Sequence, residues 1–235
     1  MDDRAAVTAA TGYLAARAHL PVRVDELAAQ VGYSPTHLRR LFSRVARTSP
    51  SGYHAALRVE EAKRLLATTG LSVLQICHQV GYDSLGTFTR RFGEAVGMTP
   101  TGFRASAGVL PEPYVLPPAS PRGGHVTGTV TAADGYDVTG AGVWIGLFGR
   151  PVPVGAPHSG ALLRGGGGFR IPLPEQTCWI LVAAVGRGRV ARRLLVAEFQ
   201  RPVESGDQLD LVLRPWQPPQ HPVTIGLPGL FSPAR

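Results

Sequence analysis

The chain has 235 residues and carries 24 Lys plus Arg against 16 Asp plus Glu, a formal net charge of +8, and this length suffices for two modest domains. Lys63 is the only lysine, so arginine, which suits bidentate contacts to phosphate and guanine, supplies nearly all of the positive charge and weakly favours a nucleic-acid partner. Two cysteines in different halves of the chain exclude a disulfide framework. The first residues lack the apolar core of a signal peptide, and no stretch approaches 18 uninterrupted apolar residues. A cytoplasmic protein without membrane contact is therefore expected.

Helical patterns fill residues 4 to about 107, and about seven helices are predicted there. Three of them are predicted to begin at a Ser or Thr that is followed by proline: Ser34-Pro35, Ser49-Pro50 and Thr99-Pro100. Such a hydroxyl can accept a hydrogen bond from an otherwise unpaired N–H, and proline at the first helical position loses no helical hydrogen bond. Ser72 is predicted to cap a further helix. The apolar spacing from Pro50 to Thr68 predicts one long helix.

One supersecondary unit occurs twice in this helical half. The first copy runs from Val31 to Tyr53 and the second from Val80 to Phe103, and each begins with Val-Gly-Tyr. After one extra residue in the second copy, the corresponding pairs are Leu38 and Phe88, Arg40 and Arg90, and Phe42 and Phe92. A short helix, a Gly-aromatic turn and a basic helix form the helix-turn-helix layout that reads DNA. Residues 35–47 contain four arginines and no acidic residue.

A different organisation is predicted after the helices. Residues 109–124 are rich in proline and are predicted as an extended linker. Short runs rich in Val, Ile, Leu and aromatic residues follow, separated by Gly, Asp and Pro, and they predict an antiparallel β-sandwich over 125–215. These runs are 125–132, 143–148, 168–174, 177–185, 191–199 and 209–214. Residues 216–235 are predicted as a Pro-rich arm that packs on the surface or on a partner.

Four segments of the helical half resemble the DNA-binding domain of the AraC/XylS family of bacterial transcription regulators. In chain order they read VDELAAQVGYSPTHLRRLF, SPSGYHAALRVEEAKRLL, LSVLQICHQVGYDSLGTFTRRF and MTPTGFR, and they place such a domain over residues 1–108. The resemblance implies that the second helix of each unit enters one of two successive major-groove segments. These segments lie about 34 Å apart on one face of the duplex.

The resemblance also implies roles for particular side chains. Its base-reading positions are Thr36, Arg39 and Arg40 in the first unit and Gly86, Thr87, Thr89 and Arg90 in the second. Phosphate contacts, which set register without reading sequence, are expected from Ser34, Arg44, Ser84 and Arg91. The apolar residues Leu38, Leu41, Phe42, Phe88 and Phe92 are expected to face inward.

Three further features bear on the resemblance. Arg47 stands where the family commonly has a glycine, so the first recognition helix is expected to lose its usual C-cap. Most members of the family place this domain last, whereas here it comes first. The second half more loosely resembles a transthyretin-like or carboxypeptidase-regulatory-like sandwich in GTVTAADGYDVTGAGVWIGLF and GGGFRIPLPEQTCWILVAAV, which implies a fold rather than an activity.

Several residues that could suggest a chemical function are better explained by a structural role. Cys77 is expected to be a small buried apolar residue rather than a metal ligand or redox sensor. The glycines from Gly165 to Gly168 are expected to form a hairpin loop, because no Lys-Ser/Thr follows them. Trp144 and Trp179 are expected in the β core more than in a ligand pocket. Paired carboxylates, a His-Glu metal motif and a nucleophile elbow are missing from the sequence, so neither an enzyme nor a cofactor is expected.

A sequence-specific transcriptional regulator is therefore the favoured interpretation. One alternative is an architectural DNA-binding protein with little sequence preference, and another is a sensor-enzyme whose β domain binds or hydrolyses a metabolite. Double-stranded DNA is the expected partner. RNA polymerase is a further candidate, as are a small-molecule effector and a homodimer through the β domain.

Overall fold

The chain forms two compact units in a computed structural model that describes residues 2–107, 109, 111–188 and 192–226. The first unit contains the described residues up to 107 together with Gln217–Gly226, and the second contains those from 109 to 216. The predicted division into a helical part followed by a β-sheet part is confirmed. The chain leaves the helical unit, passes through the β unit and then returns to the helical unit.

Seven helices lie within the described residues, as predicted. They are α1 (Asp3–Ala16), α2 (Val24–Gln30), α3 (Pro35–Val45), α4 (Pro50–Thr68), α5 (Val73–Gln79), α6 (Leu85–Val96) and α7 (Pro100–Ser106). The hydroxyls of Ser34, Ser49 and Thr99 each accept a hydrogen bond from the backbone N–H three residues later. Ser72 caps α5 and forms a reciprocal capping box with Gln75. Each of these caps stabilises its helix by about 1 kcal/mol.

The helical unit has two apolar clusters, one for each copy of the repeat. The first is built around Phe42 and Tyr53, and the second around Phe92 and Phe103. The two corresponding ring pairs have nearly the same geometry, with centroids 6.0 Å apart at 76° in the first cluster and 5.9 Å apart at 75° in the second. The long helix α4 contributes to both clusters, so it is the common support of the two copies.

Nine strands lie within the described residues of the β unit. They are β1 (Tyr114–Leu116), β2 (Pro121–Ala132), β3 (Tyr136–Asp137), β4 (Gly142–Phe148), β5 (Ser159–Arg164), β6 (Gly167–Pro174), β7 (Trp179–Gly188), β8 (Arg192–Glu198) and β9 (Gln208–Pro215). All six predicted runs form strands, whereas β1, β3 and β5 were not predicted. The first of these three lies within the Pro-rich segment 109–124.

The strands form a nearly closed sheet in the order β1-β5-β4-β7-β8-β9-β2-β6, with β3 paired to β7. Neighbouring strands are antiparallel except for β2 and β9, which run parallel from Thr127 beside Gln208 to Ala132 beside Leu213. The hydroxyl of Ser159 in β5 donates to the carbonyl oxygen of Pro172 in β6 at 2.8 Å. This contact links β5, which is next to the first strand in that order, to β6, which is the last, so the sheet nearly closes on itself.

The two tryptophans do not lie in the β core, so that expectation is wrong. Trp144 alternates with the buried Val143 and Ile145 along β4 and is half-buried on the opposite face of the strand. Its ring packs edge-on against Tyr114, with centroids 6.1 Å apart. Trp179 is likewise half-buried beside the fully buried Ile180. The alternation of side chains along a strand sends these large residues outward.

Candidate nucleic-acid interface

The first predicted recognition helix, α3, turns a charged face to solvent. Thr36, Arg39 and Arg40 are exposed, and their spacing of three and four residues places them on one side of the helix. Leu38, Leu41 and Phe42 are buried, as predicted. Because the apolar side fixes the rotation of α3 about its axis, the three predicted reading positions are directed away from the core.

The second predicted recognition helix, α6, repeats this arrangement with fewer charges. Gly86, Thr87 and Arg90 are exposed, whereas Thr89 is half-buried. Phe88 and Phe92 are fully buried, as predicted. Leu85, the first residue of α6, exposes 41% of its surface, so an apolar side chain lies beside the predicted reading positions.

The turn before each of these helices is the same in both copies. In the first copy Gly32 has φ +73° and the Tyr33 N–H donates to Ala28 at 3.0 Å. In the second copy Gly81 has φ +86° and the Tyr82 N–H donates to Cys77, also at 3.0 Å. A positive φ is costly for residues with a Cβ atom and easy for glycine, which explains why both copies carry Gly-Tyr at this point.

The predicted phosphate contacts lie at exposed sites. Ser34 and Ser84 are the N-cap residues of α3 and α6, and their hydroxyls accept from the N–H groups of His37 at 3.3 Å and Thr87 at 3.4 Å. The capping bond uses the acceptor side of each hydroxyl, so a phosphate would use the hydroxyl hydrogen. Arg44 and Arg91 are exposed as well.

Two of the predicted DNA-contacting arginines have acidic neighbours. Arg44 forms an ion pair with Asp3 of α1, and Arg90 pairs with Glu94 one turn later on α6 at 2.7 Å. Both pairs are exposed, and pairs of this kind contribute about 0–1 kcal/mol, so DNA phosphate can displace the carboxylates at little cost.

A left-handed residue lies after each recognition helix. Gly97 is the C-cap of α6 and has φ +84°, whereas the C-cap of α3 is Ala46, with φ −99°, and Arg47 follows it with φ +55°. Arg47 thus adopts the conformation that glycine usually supplies, although the C-cap residue of α3 is not itself left-handed. A side chain in this region costs on the order of 1–2 kcal/mol per residue.

Arg58 joins the loop between α1 and α2 to the second copy of the repeat. This α4 residue donates through Nε to the carbonyl oxygen of Ala18 at 2.7 Å and through Nη2 to that of Leu20 at 2.9 Å, both in the loop before α2. Its Nη1 donates to the carbonyl oxygen of Gly81 at 3.0 Å, in the turn before α6. One guanidinium thus holds the loop between α1 and α2 against the turn of the second copy. Sequence reasoning missed Arg58, because an arginine on a helix gives no sign of a distant carbonyl partner.

Gly81, in the second copy, packs against the loop between α1 and α2. A Cβ atom at this position would lie 2.2 Å from the carbonyl oxygen of His19, which is in the loop before α2. At the corresponding Gly32 no atom lies within 4 Å of such a Cβ atom among the described residues. Only the second glycine is therefore needed for close packing against another part of the helical unit.

The described residues contain few features that indicate other chemistry. Cys77 is fully buried, as predicted, and its Sγ lies 3.5 Å from the carbonyl oxygen of Tyr82. The glycines from Gly165 to Gly168 form the connection between β5 and β6 and the first residues of β6, with Gly165 at φ +80°. Within the described ranges no three His, Cys, Asp or Glu side chains come together in a way that could hold a metal ion. Of the helices described, none has the length and apolar character needed to cross a membrane.

Comparisons with known proteins place the helical part in a family of domains. Residues 27–106 match the family model described as a helix-turn-helix domain. The HTH-type transcriptional regulator GbdR of Pseudomonas aeruginosa is 35% identical over 98 residues, which are 42% of this chain and 26% of that protein. The right origin-binding protein of Escherichia coli is 36% identical over 86 residues, 37% of this chain and 30% of that protein.

A solved structure is similar to part of the chain. It is a transcriptional regulator from Chromobacterium violaceum, described as an AraC-type DNA-binding domain-containing protein, with 32% identity and a TM-score of 0.42 over 43% of this chain and 91% of that one. Residues 27–106 therefore form a helix-turn-helix domain. The chain spans about a quarter to a third of the length of the curated relatives named above. The transthyretin-like resemblance of the β unit stays a prediction.

Proposed function

We propose that this chain is a sequence-specific DNA-binding transcriptional regulator whose helices α3 and α6 enter two successive major-groove segments. The observation that carries the proposal is the duplication of one turn and one basic helix on a shared support, α4, with Arg58 and Gly81 fixing the second copy against the loop that leads into α2. Two rigidly spaced helices can read one long asymmetric site without a second protein copy.

The direct readers of the first segment are Arg39 and Arg40, helped by Thr36. An arginine reads guanine through two hydrogen bonds to its major-groove edge. The exposed, uninterrupted positive charge of α3 supports this role. In the second segment Arg90 is the principal reader, with Thr87 beside it, and Gly86 lets the backbone approach the groove closely.

Leu85 and Thr89 modify how the second major-groove segment is read. The exposed Leu85 suits contact with a thymine methyl group. Thr89 is half-buried, so its contribution is smaller than that of Arg39, its counterpart in the first copy. The second segment therefore contributes less base discrimination than the first.

The remaining predicted contacts set register on the duplex. Ser34, Ser84, Arg44 and Arg91 bind phosphates on the two sides of each groove, and they make affinity depend on salt without reading bases. The β unit serves regulation or protein contacts, with RNA polymerase, a small-molecule effector or a second copy of the chain as its candidate partners.

Competition binding tests this function against a low-specificity architectural role. The probe is a duplex selected from a random pool by the wild-type protein. Arg39→Ala and Arg90→Ala should each relax discrimination at particular base pairs by about 1–3 kcal/mol. Arg44→Ala should weaken all duplexes alike and flatten the salt dependence. If all three variants behave like Arg44→Ala, specific readout is wrong and the architectural role is favoured.

A further inference from the structure

The segment that follows the β unit is an integral part of the helical unit. Gln217–Gly226, which we name the strap, clusters with the helices rather than with the strands that precede it. Val223, Thr224 and Ile225 are buried, with 4%, 1% and 7% of their surfaces exposed. A segment with three consecutive buried residues is packed in place rather than lying loosely on the surface.

The strap contacts both halves of the helical unit, the first built around the apolar cluster of Phe42 and Tyr53 and the second around that of Phe92 and Phe103. The ring of His221 packs edge-on against Tyr53, a core residue of the first half, with centroids 6.3 Å apart. The N–H of Gly226 donates to the carbonyl oxygen of Val96 at the end of α6, in the second half, at 2.8 Å. His221 and Gly226 are five steps apart along the chain and can lie roughly 17 Å apart when the strap is extended, which is the length of about 11 residues of a helix such as α4.

A buried lysine holds the strap between these two contacts. Lys63 of α4 exposes 1% of its surface, and its Nζ donates to Glu60 Oε1 and to the carbonyl oxygen of Val223, each at 2.6 Å. A buried ammonium group must keep its acceptors, because an unpaired buried charge is strongly destabilising. Burial lowers the pKa of Lys63 and raises that of Glu60. The strap thus supplies a carbonyl that the interior of the domain requires.

We propose that the strap sets the spacing of α3 and α6, so that tight binding to a two-segment DNA site requires it. This proposal rests on the proposed function. The strap meets α6 at its C-terminal end, which leaves the N-terminal half of that helix open to DNA. Because the strap is also the continuation of the β unit, the β unit is connected to the DNA-binding domain at both ends.

Two substitutions release the strap without touching a predicted DNA contact. In Gly226→Val the added Cβ atom would lie 2.9 Å from Met98 Cε and 3.1 Å from the Val96 carbonyl oxygen. In Ile225→Asp a carboxylate would have to enter a buried position. The matched control is Gly70→Val in the same unit, where no atom lies within 4 Å of the new Cβ atom in the described part of the chain.

The experiment measures the distance between spin labels at Ser43→Cys of α3 and Glu94→Cys of α6 in the full chain without DNA. Both positions are exposed, and the native cysteines are buried. Strap release, checked by faster hydrogen exchange of residues 221–226, should broaden the distance distribution in both variants and leave the control unchanged. It should also lower affinity for the selected two-segment duplex about tenfold, with little change for a duplex in which one segment is scrambled.

The outcomes separate the two proposals. An unchanged distance distribution in both released variants, or an unchanged two-segment affinity, overturns the strap's role. A wild-type protein that binds the two duplexes equally well contradicts the proposed function instead. The label distance needs no DNA, so it decides the effect of the strap on spacing in that case as well.

Discussion

The guanidinium of Arg58 lies 3.0 Å from the carbonyl oxygen of Gly81, and this hydrogen bond ties the turn of the second copy to the long helix. The same side chain reaches the carbonyl oxygens of Ala18 and Leu20 in the first half. Hydrogen bonds from a charged donor contribute about 1.5–3 kcal/mol each. The second copy is therefore joined to the loop that leads into α2 by directed contacts, in addition to its packing on α4.

The duplicated turn provides a matched pair of substitutions. Gly81→Ala and Gly32→Ala both place a Cβ atom at positive φ, which costs about 1–2 kcal/mol. Only Gly81→Ala also forces the His19 carbonyl to move, since the new atom would lie 2.2 Å from it. Urea unfolding should show a clearly larger loss for Gly81→Ala, and only that variant should weaken binding to a two-segment duplex. Equal losses in both assays would mean that the two halves are not packed through Gly81.

The turn after α3 offers a stabilising substitution. Arg47 has φ +55°, so Arg47→Gly should remove strain, whereas Arg47→Ala should retain it and report what the side chain contributes. The free energy of unfolding should be about 1 kcal/mol higher for the glycine variant than for the alanine variant. Denaturant unfolding of both variants measures this difference. If Arg47→Gly is no more stable than Arg47→Ala, the left-handed conformation at this position is not strained.

A buried histidine should make the helical unit sensitive to mild acid. Nε2 of His54 lies 3.2 Å from the carbonyl oxygen of Arg17, and burial lowers the pKa of this histidine. The unfolded chain then binds a proton more readily than the folded one below the ordinary histidine pKa of about 6.5, so stability should fall as the pH drops through that value.

Urea unfolding at pH 7.5 and pH 5 checks the effect of His54. The wild type should lose more free energy of unfolding over this interval than His54→Gln, because only the wild type carries the buried imidazole whose pKa is lowered. The variant of the exposed His37, His37→Gln, serves as the control. A variant of His54 with the same pH dependence as the wild type would assign the effect to another group.

Local signals predicted the helical unit well. The two Ser-Pro pairs, the Thr-Pro pair and Ser72 predicted four helix starts correctly, because a cap is a contact between residues three apart. The repeat located α3 and α6 and the buried side of each. The half-burial of Thr89 escaped prediction, since it depends on how closely neighbouring helices approach. Arg58 and Lys63 escaped for the same reason, because their carbonyl partners are distant along the chain.

The β unit was less accessible to such reasoning. Its apolar runs predicted six strands, but β5 and β1 are short and are flanked by Gly or Pro, which hides them. The parallel pairing of β2 with β9 joins residues about 80 positions apart, and local alternation carries no information about such a partner. Alternation also predicts two faces without telling which one is covered, and Trp144 lies on the less buried face.

A change in the spacing of the DNA site tests the central claim most directly. Insertion of five base pairs between the two segments of the selected duplex turns the second segment to the opposite side of the helix. If α3 and α6 are held at one spacing and enter both grooves together, affinity should fall to that of a duplex with one segment scrambled, and an insertion of ten base pairs should not restore it. Unchanged affinity after the five-base-pair insertion would contradict simultaneous reading by two rigidly spaced helices.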